Sequence, residues 1–436
     1  MTLRLIILTS LLMLSHWGAT AQTVNGRFST SFYAWEKFDT VNVSKVVPRA
    51  FQTLQLDISH GNVSLQSFIT GAMNLGNALG DDGRVRVNNL FLRWKNIGGH
   101  VETNLGRMPV FAGVGNGAVD GIMLKARGFD DHVALVTYGG ANVLNNLTSN
   151  GATALDQNFV IGGQVIGMTS GGSRISASYV NRHVERESYT AIRPDSLFNP
   201  IGVLIVPDSR SQQIFGLDAR YAEDNLVSLY GRYDYDINLQ KSLRTELSAS
   251  LEATNKIALS GRFTYRQPYL PYNSYFTIFP VSPVREYEGG IEYAVSPGLR
   301  SFGRVAYVQY TDDASRRLSV GLKTDYGSVS YSGTNGYAGQ LSSLDIIAMY
   351  PIHNYLLVPA VGFSFASYRL EENVAPKEET YATLIGIAIR PMPTVSFYSQ
   401  LQLLRNPEVS RDLRWFGKVS YWFNQTLGLF SKESQR

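Results

Sequence analysis

The chain has 436 residues, 44% of them hydrophobic and 12% aromatic, with 25 Tyr, 40 Gly and no Cys. Lys and Arg (39) nearly balance Asp and Glu (35), so the basic patch or domain of a nucleic-acid binder is missing. With no Cys there is no disulfide framework, no thiol nucleophile and no lipidated Cys anchor.

Arg4, the apolar run Leu5 to Leu14 and the Ala19-Thr20-Ala21 site predict a secretory signal over residues 1–21, cleaved before Gln22. His16 interrupts the run before it reaches the roughly 20 apolar residues of a spanning helix. From Val24 to Asn424 the pattern has period 2, the mark of strands with one apolar and one polar face. Thr245, Leu247, Ala249 and Leu251 alternate with Arg244, Glu246, Ser248 and Ser250. Leu318, Val320 and Leu322 alternate with Arg317, Ser319, Gly321 and Lys323. Tyr381, Thr383, Ile385, Ile387 and Ile389 form another stripe, and so do Leu413, Trp415, Val419, Tyr421 and Phe423. Each segment is about ten residues, the length of a tilted strand crossing a bilayer.

The connections alternate in kind. Short turns are expected at 60–61, 96–99, 128–131, 169–172, 223–225, 254–255, 296–298, 326–327, 351–354 and 391–393, built mostly from Gly, Asn, Asp and Pro. Between them lie longer connections at 37–48, 74–83, 108–118, 140–156, 184–209, 268–284, 335–342 and 369–379, and three shorter ones near 236–240, 312–315 and 406–411. This parity predicts an all-β fold, a transmembrane antiparallel up-and-down barrel of about 22 strands (range 16–22), with both termini on the short-turn side. Hairpins at 84–107 and 328–350 are the weakest, and dropping them gives about 18–20 strands. One domain, 22–436, is expected, with no plug. Tyr265, Tyr287, Tyr293, Tyr307, Tyr326, Tyr381, Trp415 and Tyr421 are candidate girdle aromatics at the membrane–water boundary.

Leu105-Gly106-Arg107, a Gly-rich link, then Asp120-Gly121-Ile122 and Leu124 resemble the "LGRQ … G … DG(I/L/V)xL" segment of Gram-negative porin-like barrels, including the phosphate-selective and alginate-export groups. The resemblance covers about a twentieth of the chain and implies a bacterial outer-membrane location. The run Gly113, Gly115, Gly117 lacks the Lys-Ser/Thr and following helix of a phosphate loop. The C-terminus departs from such barrels, which end on an aromatic residue: here Phe423 or Phe430 precedes a polar tail.

Neither G-x-S-x-G nor H-E-x-x-H occurs. His183 near Glu185 and Glu187, and Asp81-Asp82 as a cation pair, read as solvated loop charges. No enzymatic activity and no cofactor are expected. If the apolar stripes face lipid, Arg182, Arg220, Arg232, Arg262, Arg266, Arg304, Lys323, Asp218, Asp234, Glu246, Glu288 and Glu292 line the interior. Two connections are candidate constrictions. In 184–209 the apolar "IGVLIVP" suggests an inward fold presenting Arg186, Arg193 and Asp195; in 267–283 Tyr and Phe suggest a mouth that stacks on sugar rings.

The expected function is a passive outer-membrane channel for small hydrophilic solutes or anions. The alternative is a closed barrel acting as adhesin, scaffold or secretion partner. An exporter of acidic polysaccharide would want an unbroken Arg/Lys track, which carboxylates interrupt here. Expected partners are outer-membrane lipid and small polar solutes, not nucleic acid; a homotrimer is compatible with the sequence.

Overall fold

The structure, a computed structural model, describes residues 22–40, 43–76, 83–143, 155–169, 171–185, 188–194, 196–206, 211–223, 226–268, 282–337, 339–370 and 376–427. The signal at 1–21, Asp81-Asp82, Arg186, Glu187, Asp195, most of 267–283 and Phe430 lie outside them. The first strands are β1 (Gln22–Thr40), β2 (Val43–His60), β3 (Val63–Asn74), β4 (Arg84–Ile97), β5 (Val101–Ala112), β6 (Gly115–Gly128), β7 (Val133–Asn142), β8 (Asn158–Met168) and β9 (Arg174–Val184). A separate hairpin follows, β10 (Tyr189–Pro194) and β11 (Pro200–Ile205). Then come β12 (Gln212–Glu223), β13 (Val227–Asp236), β14 (Lys241–Thr254), β15 (Ile257–Arg266), β16 (Val284–Ser296), β17 (Leu299–Gln309) and β18 (Ala314–Thr324). The last are β19 (Gly327–Gly336), β20 (Gly339–Met349), β21 (Leu357–Arg369), β22 (Glu378–Met392), β23 (Val395–Arg405) and β24 (Asp412–Leu427).

All but β10 and β11 form one 22-stranded sheet, each strand antiparallel to its sequence neighbour, with β9 pairing directly to β12. β1 closes the ring against β24, from Gln22↔Leu427 to Ala34↔Trp415. Closure leaves no edge, so every strand finds a hydrogen-bonding partner on both sides, as a bilayer interior demands. The strand number is that of the turn-and-loop reading, and both uncertain hairpins are full strands. All ten expected short turns fall on one end, with Gln22 and Leu427.

Three connections read as longer loops are tight instead. Strand pairing runs on to Thr40↔Val43, Ala112↔Gly115 and Gly336↔Gly339. At the last, φ of +131° and +82° at Gly336 and Gly339 supplies a turn that a side chain would oppose.

The two faces differ as the alternation predicts. Leu247, Leu318 and Leu322 are 54%, 47% and 48% exposed, whereas Thr264 and Asp234, on the opposite face, are 4% and 8% exposed. Side chains converge on the concave side of a curved sheet and spread on the convex side, so the polar face is the inner one and the apolar stripes form the outer surface. Aromatic pairs stand on the outer stripes: Phe263–Tyr287 at 5.1 Å, Tyr326–Tyr350 at 5.3 Å and Phe365–Tyr381 at 5.0 Å between ring centroids. Val320→Arg, near the middle of β18, is expected to destabilise the barrel by about 2–4 kcal/mol in lipid vesicles, and Ser319→Arg on the other face by much less. Urea titration of the two variants checks the difference.

Candidate functional site

Two features break the uniformity of the inner face. The first is a row of glycines in register, Gly106↔Gly121↔Gly140, crossing β5, β6 and β7. A Cβ on Gly106 would lie 2.5 Å from the Leu90 carbonyl oxygen, on Gly121 2.0 Å from that of Gly139, and on Gly140 2.2 Å from that of Asp120. The backbones therefore approach closely enough to crease the sheet. Beyond this row the β5–β6 tip curls over the inner face of its neighbours. Met108, Val110, Ala112, Val114 and Val119 are buried with Met123, Tyr138, Val160 and Val180, and Val136 and Ile214 pack against them. Val114 N donates to Ser178 Oγ (3.1 Å), and Arg182 Nη2 donates to the Asn116 carbonyl oxygen. Gly216 lacks a side chain where Val114 Cγ1 needs room, since a Cβ there would sit 2.3 Å from it. The outer-parity residue of the tip, Phe111, is 85% exposed.

Arg107 and Asp120 buckle this crease. Their forked pair has both contacts at 2.7 Å, and Arg107 Nη1 also donates to the Val87 carbonyl oxygen (3.1 Å). By register they share the apolar face with Leu105 and Ile122, where neither charge is tolerable alone. Arg107→Met should cost up to about 3 kcal/mol by leaving Asp120 unpaired, while Arg107→Met with Asp120→Leu recovers most of that loss. Denaturation midpoints of the single and double variants test the cycle.

The second feature is a dense charged strip that starts at Arg182 on β9 and runs across β12 to β18. The register puts Arg182, Arg220, Arg232, Arg262, Arg266, Arg304, Lys323, Asp218, Asp234, Glu246, Glu288 and Glu292 on one continuous face, with the tip. Arg232 Nε forks onto Asp234 (3.0 Å to each oxygen), Arg244 pairs with Glu246, and Arg304 reaches Glu292 at 3.3 Å. Arg317 arches over the buried Ala306 to pair with Glu286 and Glu288, the latter at 2.9 Å. Asp218 accepts a hydrogen bond from Ser176 Oγ, whose oxygen accepts one from Gln164 Nε2 at 2.8 Å. Arg220, Arg262, Arg266 and Lys323 take part in no ion pair among the described residues.

The described part of 184–209 is the β10–β11 hairpin, paired from Tyr189↔Ile205 to Pro194↔Pro200. Its side chains point largely to solvent: Ile192 is 79% and Phe198 88% exposed, and Arg193 is exposed. Packing against the inner face is shown by the β5–β6 tip, read from sequence only as a Gly-rich link. The sequence signal was the alternation Met108, Val110, Ala112 continuing past Arg107. His183 stacks on Phe159 (5.6 Å) and lies 3.4 Å from Ser211 Oγ. No His, Cys, Asp and Glu grouping among the described residues could hold a metal ion.

No protein-family model matches this chain, and no curated protein sequence matches it. Solved structures are similar in fold. A chain of the Escherichia coli P pilus tip assembly intermediate PapC-PapD-PapK-PapG aligns over 95% of this chain and 62% of its own length, at 8% identity and a TM-score of 0.53. Acinetobacter baumannii OccAB4 aligns over 93% of this chain and 99% of its own, at 8% identity and a TM-score of 0.44. A BenF-like porin from Pseudomonas fluorescens aligns over 93% and 99%, at 11% identity and a TM-score of 0.41. At such identities the likeness is one of fold alone, a closed antiparallel barrel.

Proposed function

We propose that the chain is a passive outer-membrane channel for small hydrophilic solutes, with a preference for anions. The observation that carries this reading is the division of faces in a closed ring: apolar stripes outside and an unbroken charged strip inside. Charge on the inner face has no structural use in a packed core, but in a water-filled lumen it stays hydrated and sets which solutes enter. A ring of 22 strands is also too wide for wall side chains alone to fill.

Two further features support it. The curled β5–β6 tip narrows the cross-section on the β7–β12 side and leaves Phe111 exposed at its end. The cations free of ion pairs, Arg220, Arg262, Arg266 and Lys323, leave positive potential along the β12–β18 wall, while most of the carboxylates there are neutralised by neighbouring Arg. Passage needs no catalytic step and no cofactor.

Planar-bilayer recording of the refolded protein under a salt gradient tests the reading. Discrete steps with an anion-selective reversal potential support it. Correctly inserted protein that gives no steps would replace it with a closed scaffold or secretion partner.

A further inference from the structure

Opposite the charged strip the inner face changes character. Counted around the ring, β24, β1 and β2 face β13, β14 and β15 across the interior. Here four aromatic rings cluster among the charged side chains. Tyr33 and Trp35 on β1 stack with centroids 5.1 Å apart and planes at 22°. Phe416 on β24 is the register partner of Tyr33, and Tyr398 on β23 lies 5.9 Å from Phe416 at 58°. All four rings are half-buried, so each keeps part of a face or edge uncovered. Beside them in register stand the amides of Gln400 and Gln402, opposite Phe416 and Arg414. Arg414 is tied to Asp412 at 2.6 Å, while Lys418, in register with Tyr398, and Arg49, in register with Tyr33, bring further hydrogen-bond donors to the border of the rings.

On an outer stripe such rings would simply meet lipid. On the wetted face, uncovered aromatic surface is unfavourable until something apolar lies on it. Four adjacent rings bordered by amides suit a ligand with flat C–H faces and a rim of hydroxyls, repeated along its length. We infer that this strip is a binding track for a linear neutral oligosaccharide: its pyranose faces stack on Tyr33, Trp35, Phe416 and Tyr398, and its hydroxyls bond Gln400 and Gln402. The inference rests on the reading of the inner face as a water-filled lumen.

The test uses the refolded full chain with maltohexaose and cellohexaose as probes, in two measurements. In planar bilayers, at least one probe should interrupt the open-channel current in a saturable way. In detergent, isothermal titration should give the same affinity without any need for conduction. Tyr33→Ala and Trp35→Ala should each weaken binding about tenfold, Trp35→Phe should retain most of it, and Phe397→Ala on the outer stripe should change nothing. Heat-modifiable migration confirms that each variant is folded. Steps without interruption by either probe, and no titration heat, overturn the track and leave the channel standing. Titration heat without steps upholds the track and removes the channel. Binding unchanged by both alanine variants overturns the track.

Discussion

Gly121→Val is expected to raise single-channel conductance while leaving a folded barrel. The valine Cβ would fall 2.0 Å from the Gly139 carbonyl oxygen and 2.8 Å from Gly140 Cα, both backbone atoms that cannot rotate away. The strands must separate at this row, and the crease that turns the β5–β6 tip inward is lost. Met108, Val110 and Val114 then leave their contacts with Tyr138, Val160 and Val180, and the narrowed side of the lumen opens. The local cost is about 1–3 kcal/mol, as for other overpacked sites, against a wall held by 22 mutually paired strands. A second variant removes the ambiguity of misfolding: Phe111→Ala touches no packed contact and should raise conductance slightly, by removing an exposed ring at the tip. Unchanged conductance in a correctly folded Gly121→Val barrel would mean that the tip does not narrow the path.

Replacing Arg220, Arg262 and Arg266 together with Glu is expected to reverse the sign of ion selectivity. These guanidiniums carry no ion-pair partner among the described residues, so their charge is expressed in the lumen. The change adds six negative charges' worth of difference (two at each of three positions) to a wall whose remaining Asp234, Glu246, Glu286 and Glu288 are already engaged by Arg. The shift in reversal potential should shrink as salt rises toward 1 M, where screening falls to about 3 Å. Arg304→Glu is a useful contrast. It breaks the pair with Glu292 and places two carboxylates together, but both side chains are about half exposed, so the cost in stability should stay within about 1 kcal/mol while selectivity still shifts.

The barrel was legible because period 2 and turn parity are local signals repeated along the whole chain. Leu318, Val320 and Leu322 declare one face within five residues, and Tyr326-Gly327 declares the turn beside it. That Arg220, Arg232, Glu246, Arg262 and Glu288 share one face was legible for the same reason, and their lining of a lumen is the reading proposed above. What the local pattern could not show is contact between strands that are not neighbours. The curl of the β5–β6 tip depends on Gly216 of β12 making room for Val114, about a hundred residues back in the chain. Hydrophobicity pointed to "IGVLIVP" in 184–209, and its described side chains stand exposed on their own hairpin, which leaves the inward fold of that segment a proposal. The aromatic strip was hidden differently. Tyr33, Trp35, Tyr398 and Phe416 lie at opposite ends of the chain, and only ring closure through β1 and β24 makes them neighbours.

The most direct test of the central claim, that the charged inner face lines an open path, is the reversal potential of single channels in a planar bilayer under a tenfold KCl gradient. Discrete steps are expected, with a reversal potential on the chloride side that crosses to the potassium side in the Arg220, Arg262, Arg266→Glu variant. Folded, inserted protein that never conducts, or a reversal potential that ignores the triple replacement, would contradict it.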